Sequence, residues 1–424
     1  MAAGLSVYRQ LLSDRYAVAF SLAGFVARLP LSMTGIGIVL LVSLTTGSFG
    51  LAGSLTAAAT MAGAVVAPLW GRATDRIGQA RVLLLTVVIN VASVALLVSA
   101  IELGWPLLVS FAAAVGIGIG FSLAGSSVRA RWTVRLKGSP LLHTAFAIEA
   151  MWDEVVFIIG PVLVTFLATA LHPALGVGVS AVIGLVGAVA LAGQRSTQPP
   201  TRSNSADHEE WTRMPWRVLL PVAIACTALG MIFGGMEVNI VAFATEAGVL
   251  EYAGLILIAW SFGSLVAGAV TGAITWHASP ARRFQVGAIL LALSLLPLPF
   301  VTHPVGVAMV LILSGMAIAP TLIASVGVTQ SAVDQSRLTE ALAWSSTGLA
   351  GGVAIGAAAV GHVIDSWHAH AGFVAVAIAG LLLALSALFV RGPHRSVQPA
   401  ADASSESIDT AATHSSHPPV GTRG

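Results

Sequence analysis

The chain is a succession of apolar runs, each about long enough to cross a bilayer, and its cations fall in every second gap between them. A helix needs about 20 apolar residues to span the hydrocarbon core. Runs of that kind lie near 16–44, 48–70, 82–101, 105–128, 141–171, 174–193, 218–245, 252–276, 284–302, 305–330, 341–364 and 369–390. They are continuous and longer than the alternating segments of a membrane barrel, so helices are expected rather than strands. Arg9 and Arg15 precede the first run; Arg72, Arg76 and Arg81 follow the second; Arg129, Arg131, Arg135 and Lys137 follow the fourth. The pattern continues to the end, and all but one of the 20 Lys and Arg obey it. Short loops rich in Arg stay on the cytoplasmic side. The reading is an all-α membrane protein with twelve transmembrane helices and both termini cytoplasmic.

Only 9% of the residues are charged, against roughly 25% in a soluble domain. The basic residues face anionic lipid in short loops, so no nucleic-acid partner is expected. Cys226 is the lone cysteine, which excludes an intrachain disulfide. The first run is too long for a cleaved leader. A polar, Pro-bearing stretch at 194–215 reads as a cytoplasmic linker between six-helix bundles at 1–193 and 216–391. The tail, 392–424, has the Ser, Ala, His and Pro content of a disordered segment. Thr144-Ala145-Phe146-Ala147 before Gly160 and Glu340-Ala341-Leu342-Ala343 before Gly356 stand at the same offset in the fifth span of each half, as parallel repeats would.

Tryptophans mark depth. Trp70, Trp132, Trp216 and Trp276 fall at inner edges, and Trp105 and Trp367 at outer ones. Trp152, Trp260 and Trp344 are deeper and are candidates to line a cavity.

The exception to the charge pattern, Arg28, lies near the middle of the first span. A cation there costs about 2.5–3.5 kcal/mol on insertion scales and must pair or meet water. Glu149, Asp153 and Glu154 lie at similar depth in the fifth span. Glu149 and Asp153 share a helix face, and Glu154 points elsewhere. Three carboxylates against one guanidinium push at least one proton affinity upward. Arg28 is expected to pair with Asp153 or Glu154, while Glu149 or its neighbour carries a proton; a purely structural ion pair is the alternative. Glu237 and Asn239, late in the seventh span after Gly234-Gly235, are gate or cavity candidates. So is Glu340, which also reads as a helix N-terminal carboxylate.

Gly71, Asp75, Arg76, Gly78 and Arg81 between the second and third spans resemble the signature loop of the major facilitator superfamily. The resemblance implies two six-helix bundles that rock about a midplane cavity, with Asp75 at the centre of an inner-gate latch. The equivalent stretch Gly272-Ala273-Ile274-Thr275-Trp276-His277 carries no acid. Gly160-Pro161 is similar to the hinge element of proton-exchanging exporters in that family, with Val156, Val164 and Thr165 at its other glycine positions. The family's fourth-span arginine is replaced by Phe111-Ala112-Ala113-Ala114, which leaves Arg28 as the expected source of buried positive charge.

Gly116-Ile117-Gly118-Ile119-Gly120 sits in an apolar span with no strand before it, so helix packing is expected, not phosphate binding. Gly348, Gly352 and Gly356 form a smooth face suited to contact between bundles. His362, Asp365, His368 and His370 are too irregular for a metal site. No Ser/His/Asp set, Cys/His set or nucleotide loop is visible, so neither an enzyme nor a cofactor is expected. The expected function is secondary active transport, proton-coupled export of small, fairly apolar organic compounds by a monomer in the bacterial inner membrane. The alternatives are import of a small metabolite and, more remotely, a membrane sensor.

Overall fold

The computed structural model describes residues 11, 13–139, 141–201, 215–274, 276, 278–333 and 338–390. The tail at 392–424, most of the linker, and Arg9, Arg202, Arg213, Arg337, Arg391, Arg395 and Arg423 lie outside the described residues.

The apolar runs are helices: α1 (Arg15–Arg28), α2 (Pro30–Thr46), α3 (Phe49–Ile77), α4 (Gln79–Glu102), α5 (Leu107–Ile119), α6 (Ala124–Arg135), α7 (Leu141–Ala170), α8 (Pro173–Gly193), α9 (Trp216–Glu246), α10 (Ala253–Ala273), α11 (Pro280–Leu295), α12 (Pro304–Ala332) and α13 (Leu338–Leu388). Their starts follow ordinary capping chemistry. Asp14 accepts hydrogen bonds from the amides of Tyr16 and Ala17, and Ser279 from Arg282, just before Pro280 at the first helical position. The α3–α4 turn needs Gly78, whose φ of +89° is strained for any residue with a Cβ.

Eleven stretches among the described residues are long and apolar enough to cross a membrane. Three are interrupted well inside the span, and Pro280–Phe300 also breaks near its end, after Leu295. The first span, Arg15–Thr46, breaks between α1 and α2, because Pro30 cannot continue the ladder of amide hydrogen bonds. The fourth, Leu107–Arg135, breaks at Gly120–Leu123 between α5 and α6. The last, α13, has 51 residues, roughly 75 Å of helix at ~1.5 Å per residue. That is over twice the ~30 Å hydrocarbon core, and α13 leaves helical geometry at His368 (φ 71°, ψ 173°). Glu246, at the end of α9, accepts a hydrogen bond from Ala369 N at 2.9 Å and so caps the segment beyond that break.

Packing repeats along the chain. In the first half α2 lies on α7 and α3 on α5; in the second, α9 lies on α13 and α10 on α12. Between the halves, α3 packs on α13 and α7 on α10. The glycines set these distances. A Cβ on Gly118 would strike Ala59 O, and one on Gly53 would strike Ala357 O. The face of Gly348, Gly352 and Gly356 was expected between bundles but packs on Ala223, Thr227 and Met231 of α9, within the same half. Its ~3.6-residue repeat reveals the close contact but not the partner. The first residues after α8 are docked rather than loose. Gln194 Nε2 donates to Ala19 O, and Gln198 Oε1 accepts from Ala80 N, both at 3.2 Å.

Candidate functional site

Arg28 is the last residue of α1, directly before the Pro30 break, and is 5% exposed. Its Nε donates to Gly24 O at 3.0 Å, within its own helix. Nη2 meets Glu149 Oε2 at 2.5 Å and Nη1 meets Asp153 Oδ1 at 2.7 Å. Glu149 is fully buried, and its other oxygen accepts from Ser21 Oγ at 2.6 Å and from Trp132 Nε1 at 2.9 Å. Asp153 is partly open and accepts from Arg129 Nη2 at 2.6 Å through Oδ2. A small cluster including Phe20, Leu83, Val128, Trp132 and Leu191 encloses this end, and Ser32 Oγ donates to Val156 O at 2.7 Å where Gly160 lets α2 approach α7.

The balance of charge therefore differs from the sequence expectation. Arg28 is not the sole buried cation, because α6 continues the fourth span and carries arginines inward. Arg129 joins the network. Arg131 is 1% exposed and donates to Gln79 Oε1 (2.9 Å), Thr197 Oγ1 (2.8 Å), Leu191 O (3.0 Å) and Gln194 O (3.2 Å), so it ties α4, α6 and the end of α8 together. Two guanidinium groups thus face two carboxylates, rather than one guanidinium facing three. Arg28 pairs with Glu149 and Asp153, not with Glu154, which makes no hydrogen bond or ion pair to a described residue. Trp132, expected at the membrane edge, is 3% exposed and packs edge-to-face on Phe20 at 4.9 Å. Ser21, Trp132 and Trp152 also line a cavity of about 100 Å³ beside Glu149.

At the opposite end of the molecule a second polar contact joins the halves. Asp365 Oδ1 accepts from Phe49 N at 2.7 Å, and Oδ2 accepts from Ser48 Oγ at 2.7 Å and Gly50 N at 2.8 Å. A carboxylate from α13 thus caps the N-terminus of α3, where backbone amides and the helix dipole favour an anion. In the sequence Asp365 stands out only beside His362, His368 and His370, where the spacing is too irregular for a metal site. The signal for the contact was the Ser48-Phe49-Gly50 helix start, which needs an acceptor.

The sequence profile of the major facilitator superfamily matches residues 20–337. The chain belongs to that superfamily. No curated protein matches this facilitator in sequence. Solved transporters share its fold. A mutant of the nucleoside transporter NupG has a TM-score of 0.73 at 12% identity and covers 89% of this chain and 100% of its own. A peptide transporter, POT, in complex with sulfate has 0.72 at 12%, covering 89% and 93%. A bacterial homolog of the human lysosomal transporter Spinster, inward-facing and occupied, has 0.63 at 12%, covering 88% and 95%. The facilitator is thus a multi-pass membrane transporter of small molecules.

The signature of this facilitator is not a free loop. Gly71, Asp75 and Arg76 lie on the last turns of α3, Gly78 makes the turn and Arg81 opens α4. Asp75, Arg76 and Arg81 are exposed, and Asp75 makes no hydrogen bond or ion pair to a described residue. Among the other candidates, Trp152 packs on Phe25 at 4.7 Å and Trp260 on Phe233 at 5.4 Å. Trp344, expected deep, meets Trp216 at 5.4 Å and is exposed. Glu340 is exposed in the first turn of α13. Glu237 faces Gly35 of α2, while Asn239 on the same helix is fully buried against Gly372. Pro161 lies inside α7, and its carbonyl stands against Gly254 of α10.

Proposed function

We propose that this facilitator is a secondary active transporter that exports small, fairly apolar organic compounds in exchange for protons, working as a monomer in the bacterial inner membrane. Twelve crossings, counting α13 as two at the His368 break, give six-helix halves at 1–193 and 216–391 joined by the linker at 194–215, with the tail at 392–424 and both termini cytoplasmic. The halves rock about the α3–α13 and α7–α10 contacts. The observation that carries this reading is the asymmetry between the ends: Asp365 holds α3 to α13 at one end, while Asp75 at the other is exposed and makes no hydrogen bond or ion pair to a described residue. This asymmetry supports reading the structure as one half of an alternating-access cycle, held together on the outer side.

In this scheme Arg28, Glu149 and Asp153 form the rigid part of the coupling site, and Glu154 is the carboxylate left to load a proton. Asp153 is shared between Arg28 and Arg129, so a proton arriving next to it loosens one of two ion pairs. Gly160 and Pro161 provide the hinge. Import of an anionic metabolite held by Arg28 fits less well, since both terminal nitrogens of Arg28 already bond protein carboxylates.

The test uses inverted membrane vesicles with an imposed pH gradient. An exporter accumulates an apolar dye when the lumen is acidified, and Glu154→Gln abolishes the pH-driven part while the protein still reaches the membrane. Full activity in Glu154→Gln removes the proton role, and accumulation that ignores the gradient removes exchange altogether.

A further inference from the structure

Glu237 lies on α9 where that helix meets α2 of the other half. Gly35 makes the approach possible: a Cβ there would stand 3.0 Å from Glu237 Oε2, with the Thr56 methyl 3.8 Å away. The side chain is partly exposed between buried neighbours, Met236 and Val238. It makes no hydrogen bond or ion pair to any described residue. Three other acids of the spans are met differently, although Glu154, like Glu237, has no hydrogen bond or ion pair to a described residue. Glu149 has three donors, Asp365 has three and Asp153 has two arginines.

No cation among the described residues forms an ion pair with it. Along α9 the nearest is Arg217, roughly 30 Å away at ~1.5 Å per residue. In the facing half there is no Lys or Arg from Leu29 through Gly71. One turn along the same face of α9 is Phe233, packed edge-on against Trp260 at 5.4 Å. The Trp260 indole nitrogen is buried and has no acceptor among the described residues.

We propose that Glu237, Phe233 and Trp260 form a binding site for an organic cation: a positively charged nitrogen or phosphorus centre carried on an apolar, aromatic-sized body. The carboxylate supplies the opposite charge that the chain itself does not. The aromatic pair supplies apolar area and the negative ring faces that attract cations. The spare indole N–H accommodates a polar atom of the same guest. An anion of equal shape meets an uncompensated carboxylate in a low-dielectric interior and is rejected. This names the substrate class for the transport reading above and rests on it only for the claim that the guest is moved.

Tetraphenylphosphonium and tetraphenylborate are alike in shape and opposite in charge. Binding of each to the full-length protein in nanodiscs at one pH tests the site. The wild type is expected to bind the phosphonium at least about tenfold more tightly. Glu237→Gln loses that preference, Glu237→Asp keeps part of it, and Gly35→Ala, which crowds the carboxylate, weakens the phosphonium. If Glu237→Gln does not fold, the Asp and Gly35 variants still decide. Equal affinity for the two ions, no measurable phosphonium binding, or an unchanged preference in Glu237→Gln overturns the assignment. Preference without pH-driven accumulation in vesicles leaves this site standing and removes the transport proposal. Accumulation of a neutral compound by a protein with no cation preference does the reverse.

Discussion

Glu149 and Asp153 are one helical turn apart on α7, yet their surroundings give them different work. Glu149 is enclosed, with every acceptor position toward Ser21, Trp132 or Arg28 taken, and Asp153 faces outward between two guanidinium groups. Removing one partner of a buried pair leaves an uncompensated charge, at a cost of about 3–5 kcal/mol. Glu149→Ala should therefore lower the unfolding midpoint in detergent much more than Arg129→Ala. The Arg129 side chain is 42% exposed, and its pair with Asp153 is worth about 0–1 kcal/mol. Equal losses for the two variants would contradict this ordering. Outside the spans, Asp14 makes an ion pair with Arg135. That hydrogen bond, first among the causes, holds the Asp14 carboxyl below its ordinary value, with the Ala17 and Tyr16 amides helping. A depressed carboxyl stabilises the folded state above its unfolded value of about 3.9 and loses that contribution as pH falls through the lower folded value. The stability of the wild type should therefore drop below about pH 4, relative to Asp14→Asn measured in parallel.

At the level of the helices, glycine positions separate close contact from open space. Gly352 packs on the Thr227 carbonyl of α9, whereas a Cβ on the adjacent Gly351 would meet only the flexible end of Met61, at 3.9 Å. Gly352→Val should abolish monodisperse protein in size-exclusion chromatography, because rigid backbone cannot move aside and overpacking costs about 1–3 kcal/mol or more. Gly351→Ala should elute as wild type does. The apolar periods and the glycine spacing are visible in the chain before it folds. The partner of each face is not, and that is why a face expected between bundles proved to join α9 and α13. The same limit explains α6. Counting apolar residues ended the fourth span near 128, but the helix continues through Arg129 and Arg131, whose charges are satisfied by distant groups.

For the whole molecule, the closed end hangs on one side chain. A hydrogen bond to a charged group contributes about 1.5–3 kcal/mol, and Asp365 accepts three, from the helix start of the other half. Asp365→Ala should shift the population toward opening at that end. Spin labels at Thr45→Cys and Ser366→Cys, in a chain with the buried native Cys226 replaced by Ser, report it as a longer distance component in pulsed dipolar spectroscopy. An unchanged distance distribution would show that the glycine contacts, such as Gly53 on Ala357, hold the end closed without it.

Local chemistry was enough to determine that this chain crosses a membrane many times as helices and that Arg28 needs an acidic partner. Each follows from hydrophobic length and the cost of charge in hydrocarbon, which depend on neighbours along the chain. Only the tertiary structure decided that Arg129 and Trp132 complete the Arg28 site, that Glu154 stands apart, that Asp365 caps α3 from α13, and that Glu237 faces Gly35 with no ion pair to a described residue. Those are meetings between helices far apart in sequence, fixed by how the described helices pack, and no period or motif within one helix encodes them.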